Sequence, residues 1–158
     1  MVIMRIHYAW KEWFAIHQQG DFLWRQAWDK KGRHDILCHN FPYDIYSIKG
    51  SCGPHPQTCL EFNFKRVSGE YSEYSARYTP INAANVKERA ELLLEQYGKT
   101  GSLFPHNVVL VPLGDDFTYN HEVEWDQQYS NYKQLMDFIN ENDYNAEVKF
   151  GTLSGGRE

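Results

Sequence analysis

Asn107-Val108-Val109-Leu110-Val111-Pro112-Leu113-Gly114-Asp115-Asp116-Phe117 is a continuous apolar run of strand length that ends in a glycine and two adjacent carboxylates. It does not alternate apolar with polar, so it predicts a strand buried on both faces. Upstream, Val86, Ala90, Leu93, Leu94 and Tyr97 stand at i, i+4, i+7, i+8 and i+11, one apolar face of a helix. Asn82 or Asn85 is placed to cap its start and Gly98 its end. Downstream, Tyr129, Tyr132, Leu135, Met136 and Ile139 predict a second amphipathic helix over about 125–140, and 146–153 predicts a further strand. Helix, buried strand, helix, strand is the alternation of an α/β domain with a parallel sheet and right-handed crossovers. Ligands bind such sheets beyond the carboxyl ends of the strands, which is where Asp115 and Asp116 fall.

Towards the amino end, Trp10, Trp13, Phe14 and His17 or Ile16 give a helix over 8–19, with Gly20 as its C-cap. Short strands are predicted over 22–28 and 36–38, separated by the polar turn Asp29-Lys30-Lys31-Gly32. Residues 41–59 are crowded with Pro, Gly and Ser and predict a long irregular loop, the kind of segment that carries binding groups. Leu60 to Lys65 alternates well enough for a strand, 67–80 reads as a surface excursion, and 154–158 as a disordered tail.

The 158 residues, 42% of them hydrophobic, suffice for one globular domain. A net charge of −5 gives no attraction to phosphate backbones or anionic lipid, which argues against nucleic acid as a partner. No stretch has the roughly 18–20 apolar residues of a membrane span, and no targeting signal is visible. Aromatic residues make up 16% of the chain, which suits either a ring-rich core or the stacking of rings on sugars. Three cysteines, Cys38, Cys52 and Cys59, allow at most one intrachain disulfide, and Cys52 and Cys59 bracket a Pro/Gly-rich loop that one would close. Such a bond belongs to an oxidising compartment.

Two carboxylates at the end of a buried strand have a structural reading, as a helix cap or a lysine partner, and a chemical one. Neighbours on an extended chain point opposite ways, so one of the pair faces a shared cleft while the other supports it. A carboxyl group among aromatic rings is poorly solvated as an anion and is suited to general acid catalysis of glycoside cleavage. A retaining glycosidase sets a second carboxylate about 5–5.5 Å away as nucleophile, and no residue of this sequence stands out for that part. His121-Glu122-Val123-Glu124 reads as a solvated acidic turn rather than a metal site, and Cys38-His39 as a core pair rather than a dyad.

Leu110 to Phe117 followed by Glu124-Trp125-Asp126 resembles glycoside hydrolase family 38, in particular its Golgi α-mannosidase II-like members. Further blocks resemble the family in the same order: Arg5-Ile6-His7-Tyr8, Phe22 to Asp29, Ser51-Cys52-Gly53-Pro54, Phe62-Asn63-Phe64-Lys65-Arg66 and Phe150-Gly151-Thr152-Leu153. The resemblance implies that residues 1–153 are a partial N-terminal catalytic domain, a parallel-sheet, β/α barrel-like portion of it. It implies retaining hydrolysis of α-mannosyl linkages in N-glycans, in the Golgi lumen or secretory pathway.

Carried over by position, Asp116 matches the family's general acid/base and Asp115 its neighbour. Arg5 and Tyr46 match substrate-binding positions, and Cys52 with Cys59 matches a family disulfide. Over 42–50 the chain departs from the family, reading Pro42-Tyr43-Asp44-Ile45-Tyr46-Ser47-Ile48-Lys49-Gly50, and Leu60 stands where the family often has another cysteine. The family's zinc ligands and nucleophile lie before the region matched by Arg5 and after that matched by Leu153, so no metal ligand is expected within this chain. General acid catalysis alone contributes about two to four orders of magnitude, and the chain by itself is expected to be inactive. The alternative reading is a non-catalytic segment that binds mannose-containing glycans; a third is a segment that folds poorly because its sheet edges are uncovered.

Overall fold

A computed structural model describes residues 1–70 and 77–153. The proposed tail at 154–158 and the centre of the 67–80 excursion lie outside the described residues. The elements are β1 (Val2–Met4), α1 (Tyr8–Ile16), β2 (Asp21–Trp24), β3 (Ile36–Asn40), α2 (Ile48–Ser51), α3 (Pro56–Leu60), α4 (Val86–Gly101) and α5 (Glu122–Glu141).

The sheet differs from the expected parallel one. Its order is β1-β3-β2, with β1 parallel to β3 and β2 antiparallel to it, in register Val2 to Cys38 and Phe22 to Cys38. The result is a mixed α/β segment with a small mixed sheet. The predicted strand at 22–28 stops at Trp24 because Arg25 turns to Asp35, with Nη2 to Oδ2 at 2.7 Å, and the chain enters the 29–32 turn, where Gly32 takes φ 67°. Helix α1 ends earlier than predicted, at Ile16, and Gln18 rather than Gly20 adopts the left-handed conformation, φ 53°. Gly20 is needed for close approach instead: a Cβ there would stand 2.9 Å from the Phe104 ring.

The core lies between α4 and α5 rather than on the sheet. Ala90 and Leu93 meet Tyr132, Leu135, Met136 and Ile139, joined by Ile48, Phe62, Phe64 and Ile81. Val86, Leu94 and Tyr97 pack against this cluster, as their spacing predicts, while Tyr129 is exposed and stacks on Phe150 at 5.6 Å. Helix α4 runs through Gly98 to Gly101, and Gly98 does not take the left-handed φ that would end it.

Three predicted strands are not strands. A strand exists only where a neighbour supplies its ladder, and none of the described residues does so at 60–65, 107–113 or 146–153. Residues 62–66 instead run along α5, whose side-chain amides bind their backbone. Gln128 accepts from Phe64 N at 3.0 Å and donates to Phe62 O at 3.3 Å, and Gln127 accepts from Arg66 N at 2.8 Å and donates to Arg66 O at 2.9 Å. The 107–113 run is extended and half-buried, with Val108 exposed; it is tied down where Gly114 O accepts Ile48 N at 3.2 Å and Pro112 O accepts Ser51 Oγ at 3.3 Å. Val148 exchanges two bonds with the Asn140 side chain.

The predicted loop at 41–59 holds the short helices α2 and α3. Ser47 caps α2 by accepting Gly50 N, Pro56 opens α3, and a disulfide joins Cys52 to Cys59 with Cα atoms 5.6 Å apart. Cys38 is a free thiol buried on β3.

Candidate active site

The two carboxylates sit on the turn that follows the 107–113 run. Asp115 folds back on its own backbone: its Oδ1 accepts Asp116 N at 2.8 Å, its N–H donates to Thr118 Oγ1 at 3.1 Å, and its carbonyl accepts from the same hydroxyl at 2.8 Å. Asp116 is exposed and turned the other way, where Oδ1 accepts the hydroxyl of Tyr46 from the 41–59 loop. Asp115 thus bonds within its own turn, while Asp116 meets a partner distant in sequence. The aromatic enclosure expected of Asp116 is not provided by Phe117, which is 86% exposed.

Tyr46 registers this contact. The hydrogen bond to Asp116 holds its phenol above the ordinary value, desolvation and the charges of Asp116 and Asp115 add to the rise, and the Arg5 guanidinium opposes it. Arg5 itself contacts Asp44, Nη2 to Oδ1 at 3.4 Å, an exposed pair two residues before Tyr46. Of the expected site residues, then, Tyr46 and Asp116 touch, Arg5 stands beside them through Asp44, and Asp115 shapes the turn.

One residue that sequence reading did not single out, and one it read as part of a solvated turn, complete the frame. Lys11 on α1 directs its ammonium to the carbonyls of Tyr43 and Asp44, the latter at 3.2 Å. Burial lowers its pKa, Asp44 opposes the fall and Arg5 adds to it. On the other flank, Glu124 is not part of a solvated turn: it is 2% exposed, and its Oε2 accepts Tyr119 N at 2.5 Å. Its other oxygen lies 3.1 Å from Lys65 Nζ, as an ion pair without an aligned hydrogen bond. The signal was present in the spacing, since Glu124, Gln128, Tyr132 and Leu135 share the inner face of α5 with Ile139. An apolar template passes over it because two of its members are polar. Phe117 and Tyr119 take φ 55° and 61°, left-handed values that cost about 1–2 kcal/mol each outside glycine.

Zinc, which the family resemblance implies, finds no ligand set here: among the described residues no three His, Cys, Asp or Glu side chains converge. The described residues do not by themselves fit the ion. No helix among the described residues is long and apolar enough to cross a membrane.

The family description "Glycosyl hydrolases family 38 N-terminal domain" matches residues 1–155. The chain belongs to this family. It is 50% identical over 153 residues to Alpha-mannosidase 2 of Spodoptera frugiperda, covering 96% of this chain and 14% of that protein. It is 45% identical over 157 residues to Alpha-mannosidase 2 of Homo sapiens, covering 98% of this chain and 14% of that one. The corresponding protein of Arabidopsis thaliana is 42% identical over 157 residues, 97% of this chain and 13% of its own length. This family 38 chain therefore spans about 14% of the length of the curated relatives it matches.

Proposed function

We propose that the chain is the acid-bearing segment of a retaining α-mannosidase that acts on mannose-containing N-glycans in the Golgi lumen. Residues 1–153 are its share of the catalytic domain. Asp116, protonated, delivers its proton to the departing glycosidic oxygen and later, as a carboxylate, takes one from the attacking water. Asp115 holds the turn. Tyr46 donates to Asp116 and orients its carboxyl plane, while Arg5 contributes positive charge beside the sugar. The nucleophile and the metal ligands of such an enzyme come from outside this chain, so that the chain alone forms no glycosyl intermediate.

The observation that supports this reading is the hydrogen bond from Tyr46 to Asp116, which joins two positions 70 residues apart. The test is to graft this chain in place of the matching segment of the Spodoptera frugiperda enzyme and to compare Asp116→Ala with its parent. Turnover of substrates with poor leaving groups should fall by about two to four orders of magnitude, while the first step on activated aryl glycosides is spared. Equal loss on both classes refutes the assignment.

A further inference from the structure

The turn that carries the two aspartates is held by a contact from outside it. Phe117 and Tyr119 are bulky residues at left-handed φ, 55° and 61°, a conformation that persists only where neighbouring contacts over-determine it. Inside the turn, the Thr118 hydroxyl bonds Asp115 N and Asp115 O, and Asn120 Nδ2 donates to Phe117 O at 2.8 Å. Tyr119 is gripped from further along the chain. Its N–H donates to Glu124 Oε2, its carbonyl accepts Trp125 Nε1 at 3.2 Å, and its hydroxyl reaches back to Leu113 O at 3.0 Å.

Of these, the bond to Glu124 is the one made by a charged group, and charge-assisted bonds are the stronger kind. A carboxylate that is 2% exposed is costly to bury without a cation beside it. Lys65 supplies that cation at 3.1 Å and is itself steadied by Glu70 at 3.0 Å, which also lies 3.3 Å from His121 Nε2. The ion pair thus ties the 62–66 segment, the start of α5 and the aspartate turn into one unit.

We propose that Glu124 is a positioning residue: held by Lys65, it fixes the backbone at Tyr119 and thereby the direction in which Asp116 presents its carboxyl to Tyr46. Its functional meaning rests on Asp116 being the acid, whereas its test rests on geometry alone.

The experiment uses the chain itself with ring-labelled tyrosine, following the ionisation of Tyr46 by NMR and assigning its signal with Tyr46→Phe. Asp116→Ala defines the midpoint of a Tyr46 that has lost its acceptor, below that of the parent. Glu124→Ala should shift the Tyr46 midpoint down to that of Asp116→Ala while circular dichroism shows the helices intact. Glu124→Gln, which keeps an oxygen for Tyr119 N–H but loses the attraction of Lys65, should also leave the Tyr46 midpoint below the parent value. A folded Glu124→Ala with the parent midpoint overturns the proposal. If Glu124→Ala does not fold, Glu124→Gln carries the test alone: a midpoint below the parent supports the role of the Lys65-held carboxylate, and a parent midpoint refutes it. None of these outcomes depends on turnover, so a failed leaving-group comparison and a failed positioning role are read separately.

Discussion

Removing the Cys52–Cys59 bond should cost this chain about 2.5 kcal/mol. The bond closes a loop with a sequence separation of seven, and the loop-entropy relation, evaluated for about eight residues, gives about 2.5 kcal/mol at 25 °C. Both sulfurs are buried, so reduction also forces two thiols apart inside packed surroundings. The loop is docked on α4, where Thr100 Oγ1 donates to Cys52 O at 3.4 Å and His55 N to Gln96 Oε1 at 3.2 Å. These contacts persist in the reduced native state and do not enter the difference. With a urea dependence of about 2 kcal/mol per molar, the midpoint should fall by about 1.2 M in the Cys52→Ala/Cys59→Ala variant, and by a similar amount on reduction of the parent. A shift below about 0.3 M with unchanged slope would show that the loop is equally restricted without the bond. A loss above about 4 kcal/mol would show that docking on α4 depends on it; either result refutes the reasoning.

Leu135→Ala, in the fully buried centre of the α4–α5 core, should lose about 2–5 kcal/mol by denaturant titration. Trp10→Ala on the exposed face of α1 should stay within about 0.5 kcal/mol of the parent. Gly53→Ala should lower the thermal midpoint with a loss of about 1–3 kcal/mol, because its Cβ would stand 2.5 Å from Gln96 Oε1 and 3.0 Å from Gln96 Cα. Asp21 supplies a pH signature: burial pushes its carboxyl up, but hydrogen bonds from His39 and His106, both at 2.6 Å, leave it below its ordinary value. A depressed folded pKa gives stability that is present above the unfolded value of about 3.9 and is lost as pH falls through the folded one. The stability gap between the parent and Asp21→Asn should therefore close in melts taken at progressively lower pH across that range, and a gap that persists at the acid end counts against it.

The helices were legible in the sequence because their signal is internal. Val86 to Tyr97 and Tyr132 to Ile139 place their apolar groups on one face whatever surrounds them, and α4 and α5 appear there with the predicted inner residues except Tyr129, which is exposed. The strands were not, because an extended apolar run says nothing about its neighbour. Val108 to Leu113 has the composition of a central strand and no ladder, while Ile36 to Asn40 pairs on both sides. The site was half legible. The family resemblance named Tyr46, which the fold brings to Asp116, whereas the turn at 116–117 takes the two aspartates out of the extended geometry from which their directions were read. Lys11 was missed because it binds backbone groups, of Tyr43 and Asp44, and such partners leave no mark of residue type, while Glu124 was read as part of a solvated turn because its place on the inner face of α5 is shared with polar Gln128.

The glutamine contacts along α5 make that helix a template for an extended chain. A helix advances about 1.5 Å per residue and an extended segment about 3.3 Å, so the two can match at a few points and then fall out of step. Gln127 and Gln128 meet 62–66, and Asn131, one turn on, accepts Ile81 N at 2.6 Å. These amides act as a key cut for one alignment: sliding the extended segment by a single residue would strand every carbonyl and N–H they hold. The helix specifies register here much as a partner strand would, but through side chains, so that ordinary substitutions on its inner face can rewrite it.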